Sequence, residues 1–168
     1  MHLEKLWQGL EASPVGDFVA SSSWAFPTIE TVHVIAIVTV LGSITVMDLR
    51  LLGVASKETA VTEIERDTLR WTWGAFALAA VTGSLLFVSK ATNYAVNPYF
   101  LWKLALIALA GVNMMAFHLL TWRSVATWDS GPLPRAAKLA GGLSLGIWVV
   151  VVFVARAVGF TLDKFHAS

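Results

Sequence analysis

Residues 28–53 read TIETVHVIAIVTVLGSITVMDLRLLG, and this stretch decides the fold that the chain is expected to adopt. Between Thr31 and Met47 it has no formally charged side chain, and Ile and Val predominate. At a rise of about 1.5 Å per residue, such a run can cross the hydrocarbon core of a bilayer, which is about 30 Å thick. His33 lies inside the apolar run and Asp48 lies close to its end. The stretch therefore predicts a transmembrane helix that carries ionisable side chains.

The composition of the whole chain favours a membrane protein. Of the 168 residues, 57% are hydrophobic and 14% are charged, whereas soluble domains contain about 45–50% and about 25%. The mean hydropathy is +0.69. The net charge of +1 gives no basic field that would attract nucleic acid, and the lack of cysteine excludes disulfides and thiolate metal sites. The length suits a single domain.

Four apolar runs predict an all-α, integral membrane four-helix bundle with up-down topology, because the connections between them are short. The small residues of the second and fourth runs would let helices approach closely, and they make a homo-oligomer a further expectation. The charged connection over residues 54–70 is expected to form a short interfacial helix. The four predicted spans cover about 28–53, 71–92, 98–122 and 136–160.

The first 22 residues are expected to form a separate amphipathic segment on the membrane surface, ahead of a four-helix domain over residues 23–168. The segment lacks the apolar core and the small-residue cleavage site of a signal peptide. Its apolar residues recur at helical spacing, which is typical of a helix in the interface plane. They are Leu3, Leu6, Trp7 and Leu10.

The positive charges of the connections predict how the protein lies in the membrane. Seven Lys and Arg residues lie in or beside the first and third connections, and three lie in or beside the N-terminal segment, the middle connection and the C-terminal tail. Because cytoplasmic loops are enriched in these residues, we expect both termini on the opposite side, which is the periplasm for a bacterial inner membrane. The seven are Arg50, Lys57, Arg66, Arg70, Arg123, Arg135 and Lys138, and the three are Lys5, Lys90 and Lys164.

Polar side chains of the four predicted spans fall at two depths, with an apolar middle between them. Charged groups in lipid are costly unless they are paired or hydrated, so convergent polar groups indicate a site. The layer expected near the outer face contains Glu30, His33, Lys90, Lys103 and Arg156. The layer expected near the inner face contains Met47, Asp48, Arg50, Trp71, Trp73, His118 and Arg123.

A b-type haem engaged in electron transfer is the most specific function that fits these layers. Haem needs an axial ligand, flat apolar walls and cations for its propionates. In the outer layer, His33 would be the ligand and Lys103 and Arg156 the propionate partners. We also count the neighbouring Trp102 among the candidate cofactor-binding residues.

His118 would be the ligand of a haem in the inner layer, with Met47 at a similar depth as its partner. His33 and His118 differ by about fifteen residues in depth, roughly 22 Å, so they could not hold one haem in one subunit. A haem at His33 would be five-coordinate, or its sixth ligand would come from His2, a neighbouring subunit or a group other than histidine. The redox partner is not evident from the sequence.

Simpler roles exist for most of these side chains. Lys90 and Lys103 could extend to the lipid headgroups, Arg156 could pair with Glu30, and each histidine could be a hydrogen-bonded packing residue. Asp48 and Arg50 could cap and orient the end of their helix.

Two other classes of function compete with haem binding. The chain could be a binding or transport module without redox chemistry, for a quinone, an anionic lipid or a metal ion, or it could be an accessory subunit of a larger complex. A metal at His33 or His118 is the weakest of these, since neither lies in a tight cluster of ligands. Hydrolysis is poorly supported, because the chain has no nucleophile elbow, no HExxH motif and no phosphate loop.

Several segments resemble a widespread family of small bacterial inner-membrane proteins that carries a domain-of-unknown-function label. They are ETVHVIAI, GSITVMDLRLLG, TGSLLF, NPYFLWKLALIALAGVNMMAFH and SLGIWVVVVFVARAVGF. The resemblance covers about residues 24–160 and implies a four-helix membrane protein. By similarity, its pattern matches His33, Asp48, Arg50, Lys103, Asn113, His118 and Arg156, and it usually has Gly where this chain has Ala155. The bundle is also distantly similar in architecture to the copper-resistance D and cytochrome b561-like proteins, which bind copper or haem.

Overall fold

The computed structural model of the chain describes residues 2–162 and residue 164, without the side chain of His2. That side chain, one of the sixth-ligand candidates, therefore lies outside the described residues. The described part consists of helices and their connections. In chain order the α-helices are α1 (His2–Glu11), α2 (Pro14–Ser21), α3 (Ala25–Leu52), α4 (Val61–Ser89), α5 (Ala91–Val96), α6 (Pro98–Ala116) and α7 (Arg135–Thr161).

Four helical segments are long and apolar enough to cross a membrane, which confirms the predicted four-helix bundle of a multi-pass membrane protein. Neighbouring helices in space are α4 with α3, α3 with α7, and α7 with α6. Helices α4 and α6, in contrast, have no extended contact with each other within the described residues. The bundle is therefore open along one side, between α4 and α6. The spanning segments are α3, α4, Pro98–Thr127 and α7.

The connections α3–α4 and α6–α7 share one end of the bundle, called the loop end below. The opposite end is called the α5 end. There, α1 contacts α4 and α5, and α2 contacts α3 and α4. Leu3 and Leu6 of α1 and Phe18 of α2 are exposed, as expected for helices with one side against lipid headgroups. Glu11 accepts hydrogen bonds from the backbone N–H and the hydroxyl of Thr92, which ties α1 to α5.

The second span differs from its prediction. Helix α4 is continuous from Val61 to Ser89, so the expected interfacial helix over residues 54–70 is in part the first turns of α4. No Gly or Pro interrupts residues 61–73, and nothing in the backbone chemistry ends the helix where the charges end. The predicted boundary followed the hydrophobicity, whereas the helix itself extends beyond the apolar region.

The third span ends irregularly. After Ala116 the chain makes a π-helical turn over Phe117–Thr121 and then a 3₁₀ helix over Trp122–Thr127. At its start, Asn97 caps α6, since its Oδ1 accepts from the backbone N–H groups of Tyr99 and Phe100. The Asn97 amide also donates to the Thr161 hydroxyl at 3.1 Å, which joins α6 to the end of α7.

Small residues of α7 form the packing surface that the sequence predicts. A Cβ atom added at Gly141 would lie 3.0 Å from the backbone oxygen of Asp48 and 3.0 Å from Cβ of Leu51. Helices α3 and α7 therefore cross so closely at Gly141 that a larger residue would require the neighbouring atoms of α3 to move. Asn113 of α6 donates to the backbone oxygen of Ala140 at 3.0 Å, and it holds the third helix against the fourth near the same level.

Arg50 joins the two connections of the loop end. It is only 3% exposed. Its Nε donates to the backbone oxygen of Thr59 at 2.8 Å, and its Nη2 donates to that of Asp129 at 3.3 Å. The Asp129 carboxylate in turn accepts from the backbone N–H of Thr62 at 2.9 Å and from its hydroxyl at 2.7 Å, at the start of α4. Arg50 thus has a structural role, because it holds the two connections of the loop end together.

Candidate functional site

A cavity of about 200 Å³ lies between the four spanning helices, in the half of the bundle nearer the loop end. Its wall is mostly apolar, and every spanning helix contributes to it. We call it the α4–α6 cavity. The aromatic and methionine side chains of its wall are Met47, Trp73, Phe76, Met114, Phe117 and Trp148, and its polar side chains are Ser43, Asp48, Glu65, Thr68, Thr72, Asn113, His118 and Ser144.

The cavity opens toward the space that lipid would occupy. Trp73 and Phe76 of α4 are 53% and 39% exposed, and Met114 of α6 is 41% exposed, although all three line the cavity. Gly111 lies on the same wall, and a Cβ atom added to it would meet nothing within 4 Å. Because α4 and α6 are not packed together, these residues form the rim of a lateral opening.

Asp48 is the most deeply buried polar group of the cavity. The residue is 4% exposed, and its Oδ2 atom has no hydrogen-bond partner. Ser144 of α7 is a hydrogen-bond partner of the carboxyl group. A buried polar atom without a partner is costly in a folded protein, so an orphaned oxygen on a cavity wall marks a point where a ligand could bind.

His118 lies at the π-helical turn, on the α6 side of the cavity. Its Nδ1 lies 2.9 Å from the backbone oxygen of Met114, and since a carbonyl oxygen only accepts, Nδ1 is the donor. Its Nε2 lies 4.0 Å from Oε1 of Glu65 on α4. The pair spans the gap between the two helices, and π-helical turns are frequent at functional sites.

The charge of the cavity wall is acidic. Asp48 and Glu65 contribute two carboxyl groups, and His118 is the one basic side chain among the described residues of the wall. The guanidinium of Arg50, two residues after Asp48, is engaged by the backbone oxygens of the connections. The wall therefore favours a neutral or positive ligand over an anion.

His33 has a different environment at the α5 end. Its Nδ1 lies 2.9 Å from the hydroxyl of Thr82 on α4, and that hydroxyl donates its own hydrogen to the backbone oxygen of Leu78. Nδ1 is therefore the donor in this contact. The ring also lies against Gly83, where an added Cβ would be 2.9 Å from its Cε1. His33 is thus packed into the α3–α4 interface.

The other residues predicted for a haem near the outer face do not line the α4–α6 cavity. Lys103 lies within electrostatic range of His33, and its Nζ is 5.1 Å from the centroid of the Phe100 ring. Arg156 is exposed, with its guanidinium 4.3 Å from the centroid of the Phe160 ring. Trp102 is 65% exposed. Their roles as cofactor-binding residues stay predictions.

The inner layer of the prediction corresponds in part to the cavity wall. The structure brings Met47, Asp48, Trp73 and His118 to the α4–α6 cavity. It leaves Trp71 and Arg123 exposed. Within the described residues, no three His, Asp or Glu side chains form a group that could hold a metal ion.

Sequence reasoning missed Glu65 and Ser144 as members of the site. Glu65 was assigned to the connection rather than to a spanning helix. The signal that could have found it is helical spacing: Glu65, Thr72 and Phe76 recur at intervals of seven and four, on one face of α4. Ser144 was interpreted only as part of a packing surface.

Comparisons with known proteins identify no relative. No protein-family model matches the chain, and no curated protein or solved structure matches it.

Proposed function

We propose that this multi-pass membrane protein is a binding or transport module that takes an apolar, ring-bearing compound from the bilayer into the α4–α6 cavity. One observation carries the proposal: an aromatic-walled cavity opens between two spanning helices that have no extended contact. Cavities with mostly apolar walls and a few convergent polar groups are where proteins bind small ligands. The exposed rim gives such a ligand a direct path from lipid.

The size of the cavity suits one ring of a larger molecule. An apolar cavity of about 150 Å³ accommodates benzene, and the α4–α6 cavity is about 200 Å³. An alkyl tail attached to the ring would leave through the lateral opening and stay in the hydrocarbon. This arrangement favours an amphiphile with a flat head over a compact water-soluble substrate.

A b-type haem is the second candidate, and one observation favours it: His118 and Met47, the predicted ligands for the inner layer, line the same cavity. With Nδ1 donating to Met114, Nε2 of His118 is the nitrogen that could bind iron. Haem would supply one-electron transfer. The propionates fit poorly, because Asp48 and Glu65 line the wall and none of its described residues is Lys or Arg. Haem therefore ranks below an uncharged or cationic ligand.

The proposal also covers the orientation of the protein in the membrane, the membrane in which it lies and the family that it resembles. The excess of Lys and Arg at the loop end supports a cytoplasmic position for that end and a periplasmic position for both termini of a bacterial inner-membrane protein. The cavity would then open in the cytoplasmic half of the bilayer. The resemblance to small inner-membrane proteins of unknown function supports the same placement. The two glycine-rich helices support self-association or assembly with a larger partner.

Binding can be tested with a ring probe and one pair of variants. Gly111→Leu places a side chain in the open space of the cavity, and Gly146→Leu is a matched control on α7, since a Cβ there also meets nothing within 4 Å and Gly146 does not line the cavity. The probe is 1-fluoro-3-octylbenzene, followed by ¹⁹F NMR with the protein in lipid nanodiscs. We expect a saturable bound signal in the wild type and in Gly146→Leu, and its loss in Gly111→Leu.

Absorption spectra of protein from haem-supplemented cells test the second candidate. A Soret band that disappears in His118→Ala but persists in His33→Ala would establish haem in the cavity and displace the first proposal. If neither this probe nor its charged counterpart, described below, gives a saturable signal that Gly111→Leu removes, binding in the cavity is refuted.

A further inference from the structure

The buried carboxyl group of Asp48 indicates which chemical group a ligand of the cavity must contain. The residue is 4% exposed, and its Oδ2 lies without a hydrogen-bond partner on the wall of the cavity. A carboxylate in such a place is unstable unless a positive charge or a donor approaches it. Because the guanidinium of Arg50 already binds two backbone oxygens, it does not supply that charge. The missing partner is therefore expected to come from outside the chain.

The other residues of the cavity wall also favour a positively charged ligand. Glu65 adds a second carboxyl group, and His118 is the only base that faces the two acids among the described wall residues. Trp73 and Trp148 present aromatic rings to the cavity. Ring faces carry a negative partial charge and attract organic cations. Charge and aromaticity thus point to one chemical class, whereas an anionic headgroup would be repelled.

We infer that the cavity binds a lipophilic organic cation, with Asp48 as its counter-charge and the tryptophans as its aromatic contacts. This inference rests on the proposed function, since it names the ligand class of the same cavity. The cationic ring lies between α4 and α6, and its alkyl tail extends into the bilayer. Glu65 and His118 flank the entrance, and they do not replace Asp48 as the partner of the ring.

A matched pair of probes tests the charge alone. The compounds 3-fluoro-1-octylpyridinium and 1-fluoro-3-octylbenzene share size, shape and label and differ by one positive charge. In wild-type protein in zwitterionic nanodiscs, we expect the pyridinium to bind at least about tenfold more tightly than the benzene, after subtraction of the signal from empty nanodiscs. This comparison needs no substitution, so it stays decisive even if a variant fails to fold.

The variant Asp48→Asn then tests whether Asp48 causes the preference for the pyridinium over the benzene. The amide keeps the volume of the side chain and its contact with Ser144, but it carries no charge. We expect the affinity for the pyridinium to fall at least about tenfold and the affinity for the benzene to stay the same, which would also show that the variant is folded. Glu65→Gln is the matched control for a nearby carboxyl group, and a smaller loss is expected there because His118 already faces it.

Protons should compete with the cation. The titratable groups that share the cavity with Asp48 are Glu65 on α4 and His118 in the π-helical turn, and no titratable side chain of α7 lines the cavity among its described residues. Protonation of the Asp48 carboxylate would remove the counter-charge of the cation, so acid is expected to weaken cation binding. We expect the affinity for the pyridinium to fall as the pH is lowered, while that for the benzene does not change.

The outcomes separate the two proposals. Equal affinities for the two probes in the wild type, or a preference that survives in Asp48→Asn, refute the cation as the ligand and leave cavity binding intact. The absence of any saturable signal that Gly111→Leu removes refutes both.

Discussion

The two ends of the bundle use a histidine in different ways. At the α5 end, His33 donates from Nδ1 to Thr82 and its Cε1 atom lies against Gly83, so the ring is packed between helices α3 and α4. At the loop end, His118 donates from Nδ1 to a backbone oxygen of its own helix and faces Glu65 across a gap of 4.0 Å. The first ring is packed in a helix interface, and the second borders a cavity.

Helix packing, and not depth in the membrane, accounts for this difference. Both histidines lie in apolar runs, near charged residues, at comparable distances from the ends of their spans. A glycine opposite His33 lets α4 approach it, whereas His118 lies in the π-helical turn that follows Ala116, and α4 and α6 have no extended contact within the described residues. A polar side chain in a spanning helix therefore indicates a site only where the neighbouring helix does not close over it.

The largest expected effect concerns how the loop end is held together. Arg50→Met keeps most of the side-chain volume but removes the donors to Thr59 and Asp129. Two partly buried backbone oxygens would lose charged donors, so we expect a loss of roughly 3 kcal/mol in the free energy of unfolding. Thermal unfolding in detergent, followed by circular dichroism, measures it.

The control for this change is Arg66→Met, because Arg66 is exposed and pairs with its exposed neighbour Asp67 at 3.8 Å. Its unfolding should match that of the wild type. If Arg50→Met were as stable as Arg66→Met, apolar packing rather than Arg50 would hold the two connections together. The proposed difference between the two ends of the bundle would then have no structural basis at the loop end.

The spans could be predicted from the sequence because lipid imposes a simple rule. A helix that crosses the hydrocarbon must be long and apolar, and its backbone groups must bond within the helix. The runs beginning near Thr28, Trp71 and Pro98 satisfy this rule. Hydrophobicity, however, does not report where a helix ends, and for this reason α4 begins at Val61, ahead of its apolar part.

The candidate site could be predicted only in part. The depths of Met47, Asp48 and His118 follow from counting residues along each helix. The partners Glu65 and Ser144 depend on how each helix is rotated and on which pair of helices separates, and no pattern in a single sequence fixes these for a bundle of four. The π-helical turn at His118 is likewise a local backbone choice without a Gly or Pro to signal it.

A smaller effect is expected at the α5 end, where Gly83→Ala tests whether His33 is a packed residue. The new Cβ would lie 2.9 Å from Cε1 of the ring, so the ring must move and its bond to Thr82 must lengthen. We expect a cost of about 1–2 kcal/mol, after the higher helix propensity of alanine is allowed for. Nitrogen NMR of the imidazole would show loss of the state in which Nδ1 carries the hydrogen.

Gly74→Ala is its matched control on the same helix, since a Cβ there meets nothing within 4 Å. It should be neutral or slightly stabilising, with the His33 spectrum unchanged. An unshifted His33 spectrum in Gly83→Ala would mean that this ring has room to move, and the proposed contrast between the two histidines would fail.

The smallest expected effect is a pH dependence at the start of α4. Hydrogen bonds from the backbone N–H of Thr62, and then from its hydroxyl, hold the pKa of the Asp129 carboxyl group below its ordinary value of 3.8. A carboxylate with a lowered pKa stabilises the fold above its ordinary pKa, and this contribution is lost as the pH falls through the lower, folded-state value. Asp129→Asn should therefore cost about 1 kcal/mol near neutral pH, as expected for the loss of a helix cap.

The difference between wild type and Asp129→Asn should then shrink as the pH is lowered below about 4, because the carboxylate of the wild type becomes protonated and loses the same contacts. Melting temperatures measured from about pH 6 to about pH 3 would show the two curves converging. Asp67→Asn, at an exposed position on the same helix, should give a constant difference close to zero. Parallel curves for wild type and Asp129→Asn would mean that the negative charge of Asp129 does not stabilise the loop end, and that its hydrogen bonds to Thr62 would serve equally well from an amide.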